Sequence, residues 1–138
     1  MLAVLRFFAA AALALLAAAG PALADPVGKY SVKGVAPGTG EPYEGVVEVT
    51  VSGERYHVEW SLGDLKRTGF ALGGAVSEGA FVIGPAHPDD LMLAIGFSDK
   101  SGFGTVTMFL QPDGHYEGFM VHSEDEIAGQ EVWTAIAN

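Results

Sequence analysis

The sequence predicts an all-β protein: a single small antiparallel up-and-down β-barrel of about eight strands, preceded by a signal peptide. Three observations carry this. Turn signals recur about every eight to twelve residues, the spacing of short strands. The clearest segments alternate apolar and polar residues with a period of two, and no stretch sustains a helical period. Glycine is abundant, including positions inside strands (Gly45, Gly69, Gly96, Gly118) where a small barrel must bend.

The chain opens with a leader. Arg6 supplies the positive charge, Phe7 to Ala19 is an unbroken apolar run, and Ala22-Leu23-Ala24 offers small residues where a signal peptidase cuts. Gly20 and Pro21 end the run well short of the roughly 20 residues that a membrane span needs. Cleavage before Asp25 divides the chain into a signal peptide, 1–24, and one domain, 25–138. Export to the periplasm or secretion follows, with no membrane insertion after cleavage.

Strands can be placed in order. Gly28 to Gly34 is the first, followed by a loop at Ala36 to Gly40. Tyr43 to Ser52 and Arg55 to Leu62 form a hairpin around Gly53-Glu54, with Val47, Val49 and Val51 facing one way and Tyr56, Val58, Trp60 and Leu62 opposing them. Lys66 to Gly73 and Glu78 to Gly84 form a second hairpin around Gly73-Gly74. Leu91, Leu93, Ile95 and Phe97 alternate through a sixth strand. Thr105 to Gln111 turns at Pro112-Asp113-Gly114 into His115 to Val121. Ser123 to Ala128 is an acidic loop, and Gly129 to Ile136 closes the chain. Sequential hairpins leave two outer edges, and closure into a barrel removes them; an open sandwich is the alternative.

The charge narrows the partners. Seven Lys and Arg stand against 17 Asp and Glu, and losing Arg6 with the leader leaves a formal charge of six less 17, or −11. That field repels phosphate backbones and anionic membrane surfaces, so nucleic acid is not an expected partner. With no cysteine, the domain has neither disulfides nor thiol chemistry.

The residues show no catalytic constellation. The serines sit outside any nucleophile-elbow context, the glycine pairs open no phosphate-binding helix, and Glu44, Glu48 and Glu59 face water on their strands. A non-enzymatic protein without a cofactor is expected. His87, Asp89 and Asp90 bring three metal-ligating side chains into four residues, but such groupings arise often by chance and a plain proline-rich turn is the expected reading. His57 lies on the wet face of its strand.

An eight-stranded barrel has just enough interior to be filled by its own side chains or to hold one small ligand. Tyr56, Trp60 and Phe97 are the candidate residues for an apolar ligand inside. The inward set otherwise carries almost no polar group to orient one. Met92, Phe109, Phe119 and Val121 are candidates for an outer, partner-facing surface.

Several stretches carry a family resemblance: Gly28-Lys29-Tyr30-Ser31-Val32-Lys33-Gly34, Pro37-Gly38, Tyr43-Glu44-Gly45, Gly53 to Trp60, Asp113 to Gly118 and Gly129 to Thr134. On these the chain resembles the small exported proteins of Gram-negative, mostly alphaproteobacterial, origin that are commonly labelled fibronectin-binding proteins. Phe119 stands where that family usually has an aromatic such as Trp. The resemblance implies an adhesin-like module that holds another protein. The size and closing strand are similar to avidin- and lipocalin-style barrels, which bears on fold and not on function. Two functional expectations result: a protein-binding module, or a carrier of a small apolar ligand inside the barrel.

Overall fold

A computed structural model describes residues 25–137; the expected signal peptide lies outside the described residues. Nine strands follow in chain order: β1 (Gly28–Val35), β2 (Pro42–Ser52), β3 (Arg55–Leu62), β4 (Leu65–Ser77), β5 (Ala80–Gly84), β6 (Met92–Asp99), β7 (Gly102–Leu110), β8 (Tyr116–His122) and β9 (Gly129–Ala135). All pairings are antiparallel. The order β3-β2-β1-β9-β8-β7-β6-β4 is closed by a further β3–β4 pairing, so eight strands form a barrel and β5 is an addition to β4. The sandwich alternative is thereby set aside, because closure leaves those eight strands paired on both sides.

Side chains alternate between the interior and the outside. Val32, Val47, Val49, Tyr56, Val58, Trp60, Leu93, Ile95, Val106, Met108, Met120 and Trp133 fill the interior as one cluster. Where the wall curves sharply, an inward glycine lets the backbones close up. A Cβ on Gly118 of β8 would overlap the carbonyl oxygen of Thr107 on β7.

The Gly53-Glu54 turn forms as expected. Gly53 takes φ 67° at the first central position, the type II′ pattern that suits strand twist. The turn expected at Gly73-Gly74 is instead at Glu78-Gly79, both with positive φ (51° and 79°). β4 runs straight through Gly73 and Gly74, which pair with β6 on one edge and β5 on the other. Their lack of side chains has a packing reason rather than a turning one. A Cβ on Gly73 would collide with the Asp90 carboxylate, and Gly74 lies against the Phe81 ring and the Met92 sulfur.

Two residues expected inside are exposed. Val51 in β2 and Leu91, just before β6, keep the inward phase but lie at the barrel rim, 52% and 38% exposed. Met92 lies on the outer face as expected, yet it is buried, because the β4–β5 hairpin covers it. His57 is not freely solvated; its ring stacks on Phe70 of β4 at 5.3 Å.

Candidate functional site

The barrel has two unlike ends. The β1–β2, β3–β4, β6–β7 and β8–β9 connections gather at one, and the β2–β3 and β7–β8 turns, β5 and the start of β1 gather at the other.

The first end is sealed by a polar plug. Glu131 of β9 is fully buried and accepts four hydrogen bonds: Tyr43 Oη at 2.6 Å and Arg67 Nη1 at 3.2 Å on Oε1, and Trp60 Nε1 at 3.0 Å and Trp133 Nε1 at 2.8 Å on Oε2. A buried carboxylate is tolerated only when its lone pairs are satisfied in this way. Arg67 of β4 is buried too. Its guanidinium sits 4.5 Å from the Phe97 ring centre, and its Nε is 3.6 Å from Asp99 Oδ2. Asp99 is held in turn by the Ser101 amide and hydroxyl at 2.9 and 2.5 Å, with His122 Nε2 3.4 Å away. Burial pushes the Asp99 carboxyl up, but the two Ser101 bonds, His122 and Arg67 together outweigh it and hold it below its ordinary value.

The expected ligand residues Tyr56, Trp60 and Phe97 all line the interior, at 1%, 1% and 4% exposure. Their functional groups are already engaged. Trp60 donates to Glu131 and packs edge-on to Phe97 and Trp133, both at 6.0 Å. Tyr56 Oη donates to Asp90 Oδ2 at 2.5 Å, next to the His87 carbonyl oxygen at 2.9 Å. The interior is therefore more polar than the sequence suggested: Glu131, Arg67 and Asp90 are buried within or beside it.

His87, Asp89 and Asp90 do not converge. Asp90 turns inward, 3% exposed, and accepts the His87 amide at 2.8 Å as well as the Tyr56 hydroxyl. The His87 and Asp89 side chains point out, 64% and 73% exposed. One carboxylate thus orders the loop from below while the other two groups face solvent. No group of three or more metal-ligating side chains is assembled among the described residues.

The second end carries a cup of about 600 Å³ at the barrel mouth, with Tyr30 and Tyr116 among its lining and Leu91, Leu110, Gln111 and Asp113 around them. The two tyrosine rings meet edge to face at 5.6 Å, and both rest on Trp133. Tyr30 Oη donates to the Pro26 carbonyl at 2.7 Å. Burial, with Asp25 nearby, pushes the Tyr30 phenol up to about 12, so it stays protonated. Burial, with Tyr30 and Asp25 nearby, also pushes the Tyr116 phenol above its ordinary value, and its hydroxyl is buried with no hydrogen-bond partner among the described residues.

The outer wall divides just as sharply. On β1, β2 and β3 the outward positions include Lys29, Lys33, Glu44, Glu48, Arg55 and Glu59. From Thr68 onward β4 presents Phe70, Leu72 and Val76; β6 presents Ala94, Gly96 and Ser98; β7 presents Phe103, Thr105, Thr107 and Phe109; β8 presents Phe119 and Val121. Glu117 is the one charged residue among these outward positions of β6, β7 and β8. The register joins them into rows: Leu72, Ala94, Thr107 and Phe119 run across four strands, and Phe70, Gly96, Thr105 and Val121 run beside them. Phe119 is 63% exposed, Val121 50% and Phe109 46%. Phe109, Phe119 and Val121 thus lie on the outer surface that their sequence context suggested. The cup and the plug carry no signal that the sequence reading used, and the strand expected within Glu78 to Gly84 forms as β5 but lies outside the closed barrel.

No family model matches the chain, and no curated protein matches it. Among solved structures it is similar to a redesigned β-barrel, with a TM-score of 0.58 at 9% sequence identity, covering 80% of this chain and 91% of that one. At that identity the likeness bears on the fold alone: the chain is a closed antiparallel β-barrel.

Proposed function

We propose that the chain is a non-enzymatic binding module that holds a protein partner on the largely apolar outer face of β4, β6, β7 and β8. The observation that carries this reading is the division of the outer wall. A chain with a formal charge of −10 gathers its outward charges on one half of the barrel and exposes phenylalanine and valine on the other. A contiguous exposed apolar face is costly for solubility and marks a contact surface. Its surroundings are acidic, with Glu117, Asp113 and the Glu124-Asp125-Glu126 loop nearby in the chain. The partner it fits is therefore a protein surface with an apolar centre ringed by lysine or arginine.

The test places a photo-crosslinking residue at Phe119 or Val121 and, as a control, at Glu48 on the charged half. A single protein adduct from the first two positions, absent from the third and weakened by salt, is the expected result. Equal labelling from all three, or none, would sink the proposal.

The cup favours a second reading, in which a small apolar ligand sits at the mouth instead of deep inside. Trp133 lies under Tyr30 and Tyr116 and would report it. An apolar fluorophore that neither changes Trp133 emission nor is displaced by Leu91→Asp counts against this reading.

A further inference from the structure

We infer that a second copy of this chain pairs with β5 edge to edge, joining two barrels through one continuous sheet. This goes beyond the proposed protein partner and uses a different surface. Among the described residues β5 pairs with β4 alone. It continues the line of β3: β3 pairs with Leu65 to Ala71 of β4, and β5 with Gly73 to Ser77 on the same edge. β6 reaches only as far as Gly74, so the hairpin projects past the barrel rim. The return loop is tied back by the Ala86 amide, which donates to the Glu54 carbonyl at 2.8 Å. The remaining edge of β5 is thus held out in place, and Ala80, Phe81, Val82 and Ile83 are all exposed.

Hairpin geometry fixes which groups point outward. With the two-residue turn Glu78-Gly79, Ser77 and Ala80 are the hydrogen-bonded closing pair, and such pairs alternate along the ladder. Ala80 and Val82 therefore spend their amides on β4, while Phe81 and Ile83 direct theirs away. The strand has five residues, an odd number, and its centre is Val82. A two-fold axis through Val82 sets Phe81 opposite Ile83 of the second copy and the reverse, which satisfies four outward groups on each side. It also packs an aromatic ring against a β-branched chain twice.

Charge leaves this edge open to a second copy. Each copy carries a formal charge of −10, so most approaches set like charges together, but no residue of β5 is charged. A strand edge that is flat, apolar and uncharged is the kind that other proteins protect with lysine, proline or a bulge. None of these is present in Ala80 to Gly84. Because the axis runs perpendicular to the sheet, the outer faces of both copies end on the same side. The pair presents the apolar face twice without covering it. A five-residue ribbon buries less than a standard interface, so the association is reversible and rises with concentration.

The chain has no cysteine, which makes a clean test possible. Opposed residues of a non-hydrogen-bonded antiparallel pair lie about 4.5 Å apart at Cα, within disulfide range. Val82→Cys should form a disulfide-linked dimer under mild oxidation, roughly tenfold or more faster than Val51→Cys or Val121→Cys, which are about equally exposed. Ile83→Pro removes one outward amide without touching the β4 pairing. It should abolish the concentration-dependent doubling of mass in light scattering while melting like the parent. Equal crosslinking at all three cysteines, or a dimer untouched by Ile83→Pro, would overturn the pairing. Crosslinking from Phe119 to another protein reads the proposed function separately, since it should survive in Ile83→Pro.

Discussion

Replacing Glu131 by Gln tests whether the plug is assembled as described. The side chain keeps its shape but loses its charge and one acceptor oxygen. Four donors now meet one carbonyl oxygen and one NH₂ group. If the NH₂ faces Trp60 and Trp133, two indole N–H groups that can only donate are stranded. If it faces the other way, Tyr43 can rotate and accept, but the Arg67 guanidinium is left against another donor. In either case Arg67 loses its nearest counter-charge and keeps only Asp99, at 3.6 Å. A stranded buried donor costs about 1–3 kcal/mol, and breaking a buried ion pair about 3–5. With Asp99 still in place, a loss of about 3 kcal/mol is expected, equivalent to roughly 12 °C in Tm for a domain of this size. Urea unfolding followed by tryptophan emission measures it, since both tryptophans touch the mutated group. Arg67→Met in the same background should cost less than in the parent, because the charge it removes is already unpaired. A loss below about 1 kcal/mol, or strict additivity of the two changes, would refute the four-donor arrangement.

Two further outcomes follow from the interior. All four tyrosines of the chain (Tyr30, Tyr43, Tyr56 and Tyr116) have phenols pushed above their ordinary value, in each case chiefly by burial. The folded chain therefore holds protons that the unfolded chain releases near pH 10, and stability present below that pH falls as pH rises through it. Ultraviolet titration should show no phenolate step near 10 in the native protein; a normal step there would contradict the burial. Gly118→Ala should destabilise by about 1–3 kcal/mol, since the new methyl meets the Thr107 carbonyl rather than a flexible side chain. A thermal melt unchanged from the parent would show that β7 and β8 are not so close.

What the sequence discloses depends on whether one face of a strand differs from the other. The β2–β3 hairpin was legible because valine, tyrosine and tryptophan alternate with charged residues, and its bounds at Arg55 and Leu62 match the fold. Glu131 was legible in principle: it is two residues from Trp133, and an inward tryptophan puts it inward too. Arg67 was not, because Lys66 and Thr68 flank it and either phase reads as a wet strand. From β6 to β8 the alternation fails. Phe109, Phe119 and Val121 point out while Val106, Met108 and Met120 point in, so both faces are apolar and the register is hidden. The Glu78-Gly79 turn was missed because glutamate rarely takes positive φ, and the adjacent Gly73-Gly74 pair offered a more familiar signal. The cup joins Tyr30, Leu91, Leu110 and Tyr116, which only barrel closure brings together.

The loss of alternation bears on the proposed contact at the outer wall. A strand in a closed barrel needs only one apolar face to fold, so phenylalanine on the other face adds little to stability and raises the risk of association. On β1 to β3 most outward positions obey that economy, with lysine, glutamate and arginine, and only Val35 and Val46 depart from it, each about two-fifths exposed. On β7 and β8 they break it at Phe103, Phe109, Phe119 and Val121, in the chain region farthest from those strands around the barrel. Polar residues, meanwhile, are sealed inside at Glu131, which accepts four hydrogen bonds, and at Arg67, held between Glu131, Asp99 and the Phe97 ring. A fold that fixes its interior so firmly and leaves apolar side chains outside has its adaptable chemistry on the surface. Both proposed contacts, on the outer wall and along the β5 edge, lie on that surface.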